Sequence, residues 1–215
     1  MLEDIENLRK DYRAHTLDES DIRKDPFLQF NAWFGEALAS QVPEPNAMIL
    51  ATSTPDGMPS ARTVLLKGVD EQGFVFYTNY HSRKGENLAR NPRAALVFLW
   101  HELQRQVRIE GRVEKVSREE SEAYFQSRPK GSQIGAWASP QSQVISGREE
   151  LEQQAAALEK EYAEAEHLPL PPDWGGFRVR PGLMEFWQGR TNRLHDRIQY
   201  TLQEDKRWKI ERLAP

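Results

Sequence analysis

The sequence has no cysteine among its 215 residues. Disulfide staples, thiolate metal sites and a cysteine nucleophile are thereby excluded. No apolar run approaches the roughly 18 residues that a membrane-spanning helix needs. The start, MLEDIENLRKDYR, is acidic and amphipathic, unlike a secretory signal. Both features fit a cytoplasmic protein with no membrane partner. The excess positive charge of a general nucleic-acid binder is also missing, since the net charge is −4. Neither GxGxxG nor a Walker loop is present, which disfavours a doubly wound nucleotide fold. GxSxG is absent too, and one His-Asp dipeptide does not make a nucleophilic triad. No second histidine lies at metal-ligand spacing from His195, so no metal site is expected.

What is there suits a soluble globular chain, with 38% hydrophobic and 29% charged residues and six tryptophans. Its mean hydropathy is −0.76. A chain of this length buries about 70% of its unfolded surface, enough for a sizeable core. The charge is uneven. Residues 62–130 hold 13 Lys and Arg against 9 Asp and Glu, a local +4 that leaves −8 for the rest. A basic middle in an acidic chain is either a focused anion site or a fluctuation on solvated faces.

Periodicity and turn chemistry give the elements. A short helix is expected over 2–14 from Leu2, Ile5 and Leu8. Asp25-Pro26 opens a helix to about residue 40 that buries Phe27, Phe30, Trp33, Phe34 and Leu38. Strands follow at 47–53, 60–69 and 74–78, separated by the turns TPDG and DEQG, as in an antiparallel meander. A helix is expected from 82 to 91, then strands at 93–100 and 104–116. Ser117 and Glu120 form a capping box for a helix ending near Ser127. A short helix or turn at 131–138 and a long helix at 148–166 come next. The end returns to strands at 177–180, 184–188, 195–202 and 207–213. No repeat or linker interrupts the chain, so one domain is expected over 1–215, with 1–25 as a mobile N-terminal segment. Short, locally connected strands with helices at the front and inserted predict an α+β, barrel-like, mainly antiparallel fold.

Four basic clusters carry the chemistry. Arg62 and Lys67 bracket the apolar strand RTVLLK. Ser82-Arg83-Lys84 precedes a helical stretch, where free N–H groups favour phosphate although two cations oppose the helix dipole. Tyr124, Arg128 and Ser132 place a phenol, a guanidinium and a hydroxyl around a glycine, a set that suits phosphate oxygens. Arg193, His195 and Arg197 alternate and would share one face of an extended strand. His195 is the natural titrating group there, unless a carboxylate such as Asp196 holds it structurally.

Taken together, RTVLLK (62–67), FYTNYHSRKGENLARNPR (76–93), RQVRIEG (105–111), YFQSRPKGSQIGAWAS (124–139), Gln141-Ser142, PLPPDWGGFRV (169–179), EFWQG (185–189), RLHDR (193–197) and WKIERLAP (208–215) resemble the pyridoxamine/pyridoxine 5′-phosphate oxidase family. The resemblance covers nearly the whole chain from about residue 45. It implies a split β-barrel homodimer with FMN at the subunit interface. Carried over by motif, flavin contacts fall on Arg62, Lys67, Tyr77, Thr78, Arg83, Lys84, Gln106, Gln141, Ser142, Trp187 and Arg197. Lys67, Tyr124, Arg128 and Ser132 match the substrate-phosphate pocket, and Arg193 and His195 match the catalytic residues over the pyridine ring. Arg9 and Tyr12 resemble a short Arg-x-x-Tyr lid element.

The implied reaction takes pyridoxamine 5′-phosphate or pyridoxine 5′-phosphate to pyridoxal 5′-phosphate by hydride transfer to FMN, with O2 as the final acceptor and hydrogen peroxide as co-product. Ammonia leaves from the amine. A chain without cysteine or metal ligands can do redox chemistry when a flavin carries it. Two phosphorylated ligands also explain why separate basic clusters stand in an acidic chain. The rival readings are a flavin or pyridoxal-phosphate carrier, a flavin reductase on the same fold, and a structural module.

Overall fold

The computed structural model describes Asn7 and residues 11–215. Most of the expected N-terminal helix, and Arg9 with it, lies outside the described residues. Of the described part of that stretch, Asn7 has 3-10 geometry and residues 11–14 are not helical.

The first helix, α1 (Pro26–Ala39), starts where expected. The Asp25 carboxylate accepts from the backbone N–H of Phe27 (2.7 Å) and Leu28 (3.2 Å), and proline takes the first position, where its missing N–H costs nothing. Phe27, Phe30, Trp33 and Ala37 form its buried stripe. Leu38 was expected inside but is 56% exposed. Ala37 already occupies the stripe, and the next residue is turned about 100° away from it.

Strands β1 (Ala47–Ser53), β2 (Pro59–Leu65), β3 (Gly68–Asp70) and β4 (Gly73–Asn79) follow. The strand expected over 60–69 is two strands. The chain breaks at Leu66-Lys67, where Leu66 turns inward and the Lys67 N–H donates to Val75 O at 2.8 Å. The Asp70–Gly73 turn then pairs β3 with β4 in antiparallel register. Helix α2 (Arg83–Arg90) is capped by Ser82, and β5 (Arg93–Trp100) and β6 (Arg105–Lys115) come next. Ser117 Oγ accepts from the Glu120 N–H and caps α3 (Arg118–Gln126). Helix α4 spans Lys130–Ala138 and α5 spans Arg148–Glu161.

Helix α5 stops short of the expected residue 166. Lys130 Nζ donates to the carbonyls of Ala163 (3.0 Å) and Ala165 (2.6 Å), drawing the chain out of helical geometry just past the C-terminus. The two strands expected at 177–180 and 184–188 are one, β7 (Trp174–Gln188), which runs through Pro181. The proline sits where the partner changes. Residues 174–179 pair with β4 and 183–188 pair with β8 (Asp196–Leu202), so a missing N–H at 181 breaks neither ladder. Strand β9 (Trp208–Arg212) pairs with β8.

The strand order is β2-β1-β5-β6-β7-β4-β3, with β8 and β9 branching from β7. A pure meander is thereby corrected: β1 lies beside β5, and β4 beside β7. The chain divides into two compact units, one of residues 1–50, 95–111 and 181–215, the other of 51–94 and 112–180. The first has an aromatic core, with Phe30 against Phe98 and Trp33 edge-on to Phe186, which in turn meets Tyr200. The second packs Phe125, Ile134, Leu168, Leu170 and Trp174 together. Among the described residues, no helix is long and apolar enough to cross a membrane.

Candidate functional site

In the second unit, α2 presents its N-terminus beside β4. Ser82 Oγ accepts from the Gly85 N–H, and Glu86 in the first turn offsets part of the conflict created by Arg83 and Lys84. Lys84 folds back so that Nζ donates to Thr78 Oγ1 (2.9 Å), Gln141 Oε1 (2.9 Å) and Ser82 Oγ (3.2 Å). Thr78 Oγ1 also donates to Gln141 Oε1 at 2.9 Å. All three acceptors of Lys84 are neutral. Burial, followed by repulsion from Arg62, lowers its pKa to about 8. The Arg62 guanidinium is fixed by Thr52 Oγ1 (2.9 Å), Ser60 O (3.0 Å) and Ser60 Oγ (2.6 Å), and its own pKa is lowered by burial and by Arg83. Arg62 therefore repels Lys84 and is itself repelled by Arg83, a concentration of positive charge that suits an anion. Ser142 follows Gln141 with φ at +72°, exposed at the edge of this group.

Successive residues of a strand point to opposite faces. Thr78 serves the lysine cluster, while its neighbour Tyr77 joins an aromatic stack. Tyr77 lies 3.9 Å from Tyr124 (centroid to centroid, 16° between planes) and 5.6 Å from Trp174. Burial, with Glu120 as a lesser cause, pushes the Tyr77 phenol up to about 12, so it stays a neutral donor. The Arg128 guanidinium lies 4.8 Å over Trp174, and Lys67 Nζ stands 6.0 Å from the Tyr124 ring. Arg128 Nη1 is buried without a hydrogen-bond partner, and burial lowers the pKa of the group. Among the described residues neither Lys84 nor Arg128 pairs with a carboxylate. Ser132 lies exposed in the first turn of α4, on the same segment as Arg128.

In the first unit, a cavity of about 370 Å³ is lined by Tyr12, Leu99, His101, Gln104, Gln106 and Trp187. Tyr12 meets Trp187 edge-on at 5.9 Å and His195 at 6.0 Å, and Trp187 and His195 are 4.5 Å apart. The Tyr12 ring is held from two sides. Gln104 Oε1 accepts from the N–H groups of Arg13 (2.9 Å) and Ala14 (3.1 Å), and Gly189 leaves the ring room that a Cβ, 2.8 Å from it, would take.

His195 and Arg193 do not share a strand face with Arg197. Arg193 ends a 3-10 turn (Thr191–Arg193) in which Asn192 and Arg193 both have positive φ, +54° and +62°, and β8 begins only at Asp196. Two consecutive non-glycine residues in the left-handed region cost energy, and they aim the exposed Arg193 where a regular strand would not. Nor does Asp196 hold His195: Asp196 binds Arg190 (2.7 Å) and Arg212 (2.9 Å), while His195 Nδ1 accepts the Arg190 N–H at 3.0 Å. Burial and Arg193 lower the His195 pKa. At neutral pH the imidazole is then neutral with its proton on Nε2. Arg197 is bound to Glu185 through Nε (2.9 Å) and Nη2 (3.1 Å).

The resemblance thus lands on two groups of side chains. Arg62, Thr78, Arg83, Lys84 and Gln141 gather in the second unit, next to the set of Lys67, Tyr77, Tyr124 and Arg128. Tyr12, Gln106, Trp187 and His195 gather in the first. Trp174, which carries the Arg128 guanidinium, and Gln104, which anchors the Tyr12 segment, were not singled out from the sequence. A tryptophan before Gly-Gly was the only trace of the former, and nothing marked the latter.

Comparison with known proteins fits this arrangement. The model for "Pyridoxamine 5′-phosphate oxidase" matches residues 34–162, and that for "Pyridoxine 5′-phosphate oxidase C-terminal dimerisation region" matches 174–215. A pyridoxine/pyridoxamine 5′-phosphate oxidase of Nostoc sp. is 60% identical over 98% of both chains, and one of Burkholderia lata is 58% identical over 98% of this chain and 99% of that one. Among solved structures, PhzG of Burkholderia lata, in complex with tetrahydrophenazine-1-carboxylic acid, superposes with a TM-score of 0.87 at 32% identity, covering 94% of this chain and 99% of that one. A pyridoxamine 5′-phosphate oxidase-related, FMN binding protein of Nostoc punctiforme shares the fold (TM-score 0.70, 19% identity, 89% of this chain and 98% of that one). The expected fold class holds: α+β, a mainly antiparallel split β-barrel with peripheral helices. Relatives this similar over nearly the full length, with two family models that between them take in both clusters except Tyr12, establish an oxidoreductase: the chain belongs to the pyridoxamine 5′-phosphate oxidase family.

Proposed function

We propose that the protein is an FMN-dependent oxidase, active as a homodimer, that converts pyridoxamine 5′-phosphate and pyridoxine 5′-phosphate to pyridoxal 5′-phosphate with O2 as electron acceptor. The observation that carries this reading is a pair of half-buried cations in one unit, Lys84 and Arg128, neither of which faces a carboxylate among the described residues. Cations left in that state want a multiply charged anion, and each lies in a set of hydroxyls, amides or phenols that can complete its hydrogen bonding.

On this reading Arg62, Thr78, Arg83, Lys84, Gln141 and Ser142 hold the FMN phosphate and ribityl chain. Tyr77, Gln106, Trp187 and Arg197 supply further flavin contacts, with Lys67 serving both ligands. Lys67, Tyr124, Arg128 and Ser132 take the substrate phosphate, with the unused Arg128 Nη1 as its strongest donor. Arg193 and His195 face the pyridine ring, and Tyr12, beside His195, covers it. When bound, FMN would supply the redox chemistry, a two-electron oxidation of the substrate at its 4′ carbon with O2 reduced to hydrogen peroxide.

The chain's own residues bind and orient. His195 has its Nδ1 lone pair engaged by the Arg190 N–H, which leaves Nε2–H as a donor toward the substrate. That supports an orienting role rather than proton acceptance. Arg193, whose backbone lies in a left-handed turn, would add a permanent charge near the ring oxygen and the 4′ substituent. Tyr12 and Trp187 flank the half-buried His195 and would shield it from water once substrate is bound.

The test is the visible spectrum of the purified protein, followed by oxygen uptake on adding pyridoxamine 5′-phosphate. A yellow protein that consumes O2 and forms pyridoxal 5′-phosphate supports the reading. A protein that takes up no FMN, or that binds it without substrate-dependent oxygen uptake, overturns it. Bleaching by NADPH alone would point to a flavin reductase.

A further inference from the structure

Glu185 is a fully buried carboxylate with no role so far. Its side chain is 3% exposed and lies on β7 two residues before Trp187. Three arginine donors converge on it. Arg197 gives Nε to Oε1 (2.9 Å) and Nη2 to Oε2 (3.1 Å), and Arg108 on β6 gives Nη1 to Oε2 (2.9 Å). Arg108 has a second carboxylate, Glu110, at 2.6 Å, whereas Arg197 has Glu185 alone among the described residues. The third donor of Arg197, Nη1, goes to the carbonyl of Ala214 at 2.9 Å, the penultimate residue of WKIERLAP.

Register explains why this matters. β7 and β8 pair with Trp187 opposite Arg197 and Glu185 opposite Gln199. Alternate residues of a strand share a face, so Glu185, Trp187 and Arg197 stand on one side of this ladder. On β6, Gln106 and Arg108 alternate in the same way, and Arg108 reaches Glu185, which puts Gln106 on that side too. Three of the residues proposed to contact the flavin, Gln106, Trp187 and Arg197, therefore surround the buried carboxylate. A guanidinium has five N–H donors in a rigid plane. With three committed to Glu185 and Ala214, its plane is set and two N–H groups remain to be presented.

We propose that Glu185 is a positioning residue for the cofactor: it locks the Arg197 guanidinium so that its two uncommitted N–H groups are pre-aimed at an acceptor on the flavin. The inference rests on the proposed flavin role of Arg197. An unlocked arginine would have to lose rotamer freedom on each binding event, and a buried carboxylate removes that cost in advance. The same contact raises the Arg197 pKa, chiefly through its hydrogen bonds to Glu185, so the guanidinium stays charged.

A double-mutant cycle on FMN affinity, read by quenching of flavin fluorescence, tests this. Glu185→Gln keeps the shape but leaves one acceptor for three arginine donors. It should weaken FMN binding about tenfold, the cost of losing a hydrogen bond to a charged group. Arg197→Ala should weaken it by a similar factor. The double variant should be no weaker than Arg197→Ala alone, because Glu185 acts through that arginine. Glu185→Gln effects that multiply with those of Arg197→Ala mean general structural damage and overturn the inference. Full affinity in Glu185→Gln, with the loss confined to Arg197→Ala, overturns it as well. Full affinity in Arg197→Ala instead removes the flavin role of Arg197 itself and, with it, this inference. Should Glu185→Gln fail to fold, Glu185→Asp tests the same contact. The shorter carboxylate keeps the charge but not the two-point grip, and is expected to lose FMN affinity only when Arg197 is present.

Discussion

At the residue scale, the informative feature is a charge without its opposite. Lys84 donates to Thr78, Ser82 and Gln141, all neutral, and its pKa falls to about 8 because burial and then Arg62 disfavour the ammonium. The sign of the pH dependence follows. The ligand-free group costs stability wherever it is charged in the folded state, so that cost is present below about 8 and is relieved as pH rises toward its ordinary value of 10.5. A bound phosphate reverses the preference and demands the ammonium. FMN affinity should then be flat below pH 8 and fall above it, by at most about tenfold per pH unit. Lys84→Met should bind FMN more weakly and lose this dependence, which titrations of flavin fluorescence between pH 7 and 9.5 would show. A wild-type affinity unchanged across that range would exclude Lys84 from the phosphate site. Arg128 gives a second test. With Nη1 buried and unpartnered, Arg128→Ala should raise KM for the phosphorylated substrate about a hundredfold while flavin content stays intact. A KM equal to wild type would remove it from the phosphate pocket.

At the element scale, α2 works because its N-terminus is packed hard against the end of β4. A Cβ on Gly85 would lie 2.2 Å from the carbonyl oxygen of Tyr80, a backbone atom with nowhere to go. Gly85→Ala should push α2 away from the strand, displacing Arg83 and Lys84 together. The expected cost is about 2–3 kcal/mol, or a drop of roughly 5–10 °C in Tm for a chain of this size, with weaker FMN binding. A calorimetric Tm within a degree of wild type would show that the helix accommodates the methyl group. Elements were also where the sequence was most and least legible. Asp25-Pro26 and Ser117 marked helix starts through local hydrogen bonds to their own backbones, which depend on nothing distant. The break at Leu66-Lys67, the early end of α5 at Lys130 and the continuity of β7 through Pro181 depend on partners far along the chain. No local pattern records those partners.

At the scale of the whole molecule, the match of residues 174–215 to a dimerisation region agrees with apolar side chains left outside. Ile49 and Leu99 are 43% and 47% exposed at positions within strands, where a second copy would cover them. The protein should sediment at twice its 24.9 kDa at micromolar concentration. A monomer under those conditions would contradict the homodimer. FMN at a hundred times its Kd should add about 2.7 kcal/mol of stability, seen as a rise in Tm that Lys84→Met reduces.

The sequence alone determined which residue types were available, where most elements begin, and, through ordered motifs, which family the chain resembles. Those are matters of composition, local hydrogen bonding and spacing along the polymer. Only the tertiary structure decided that Arg193 sits in a left-handed turn rather than on a strand with Arg197, that Arg190 rather than Asp196 engages His195, and that Glu185 grips Arg197 across the β7–β8 ladder. Each of those outcomes is a choice of partner, set by strand register and by which charges the fold buries together, and neither is written in the order of the residues.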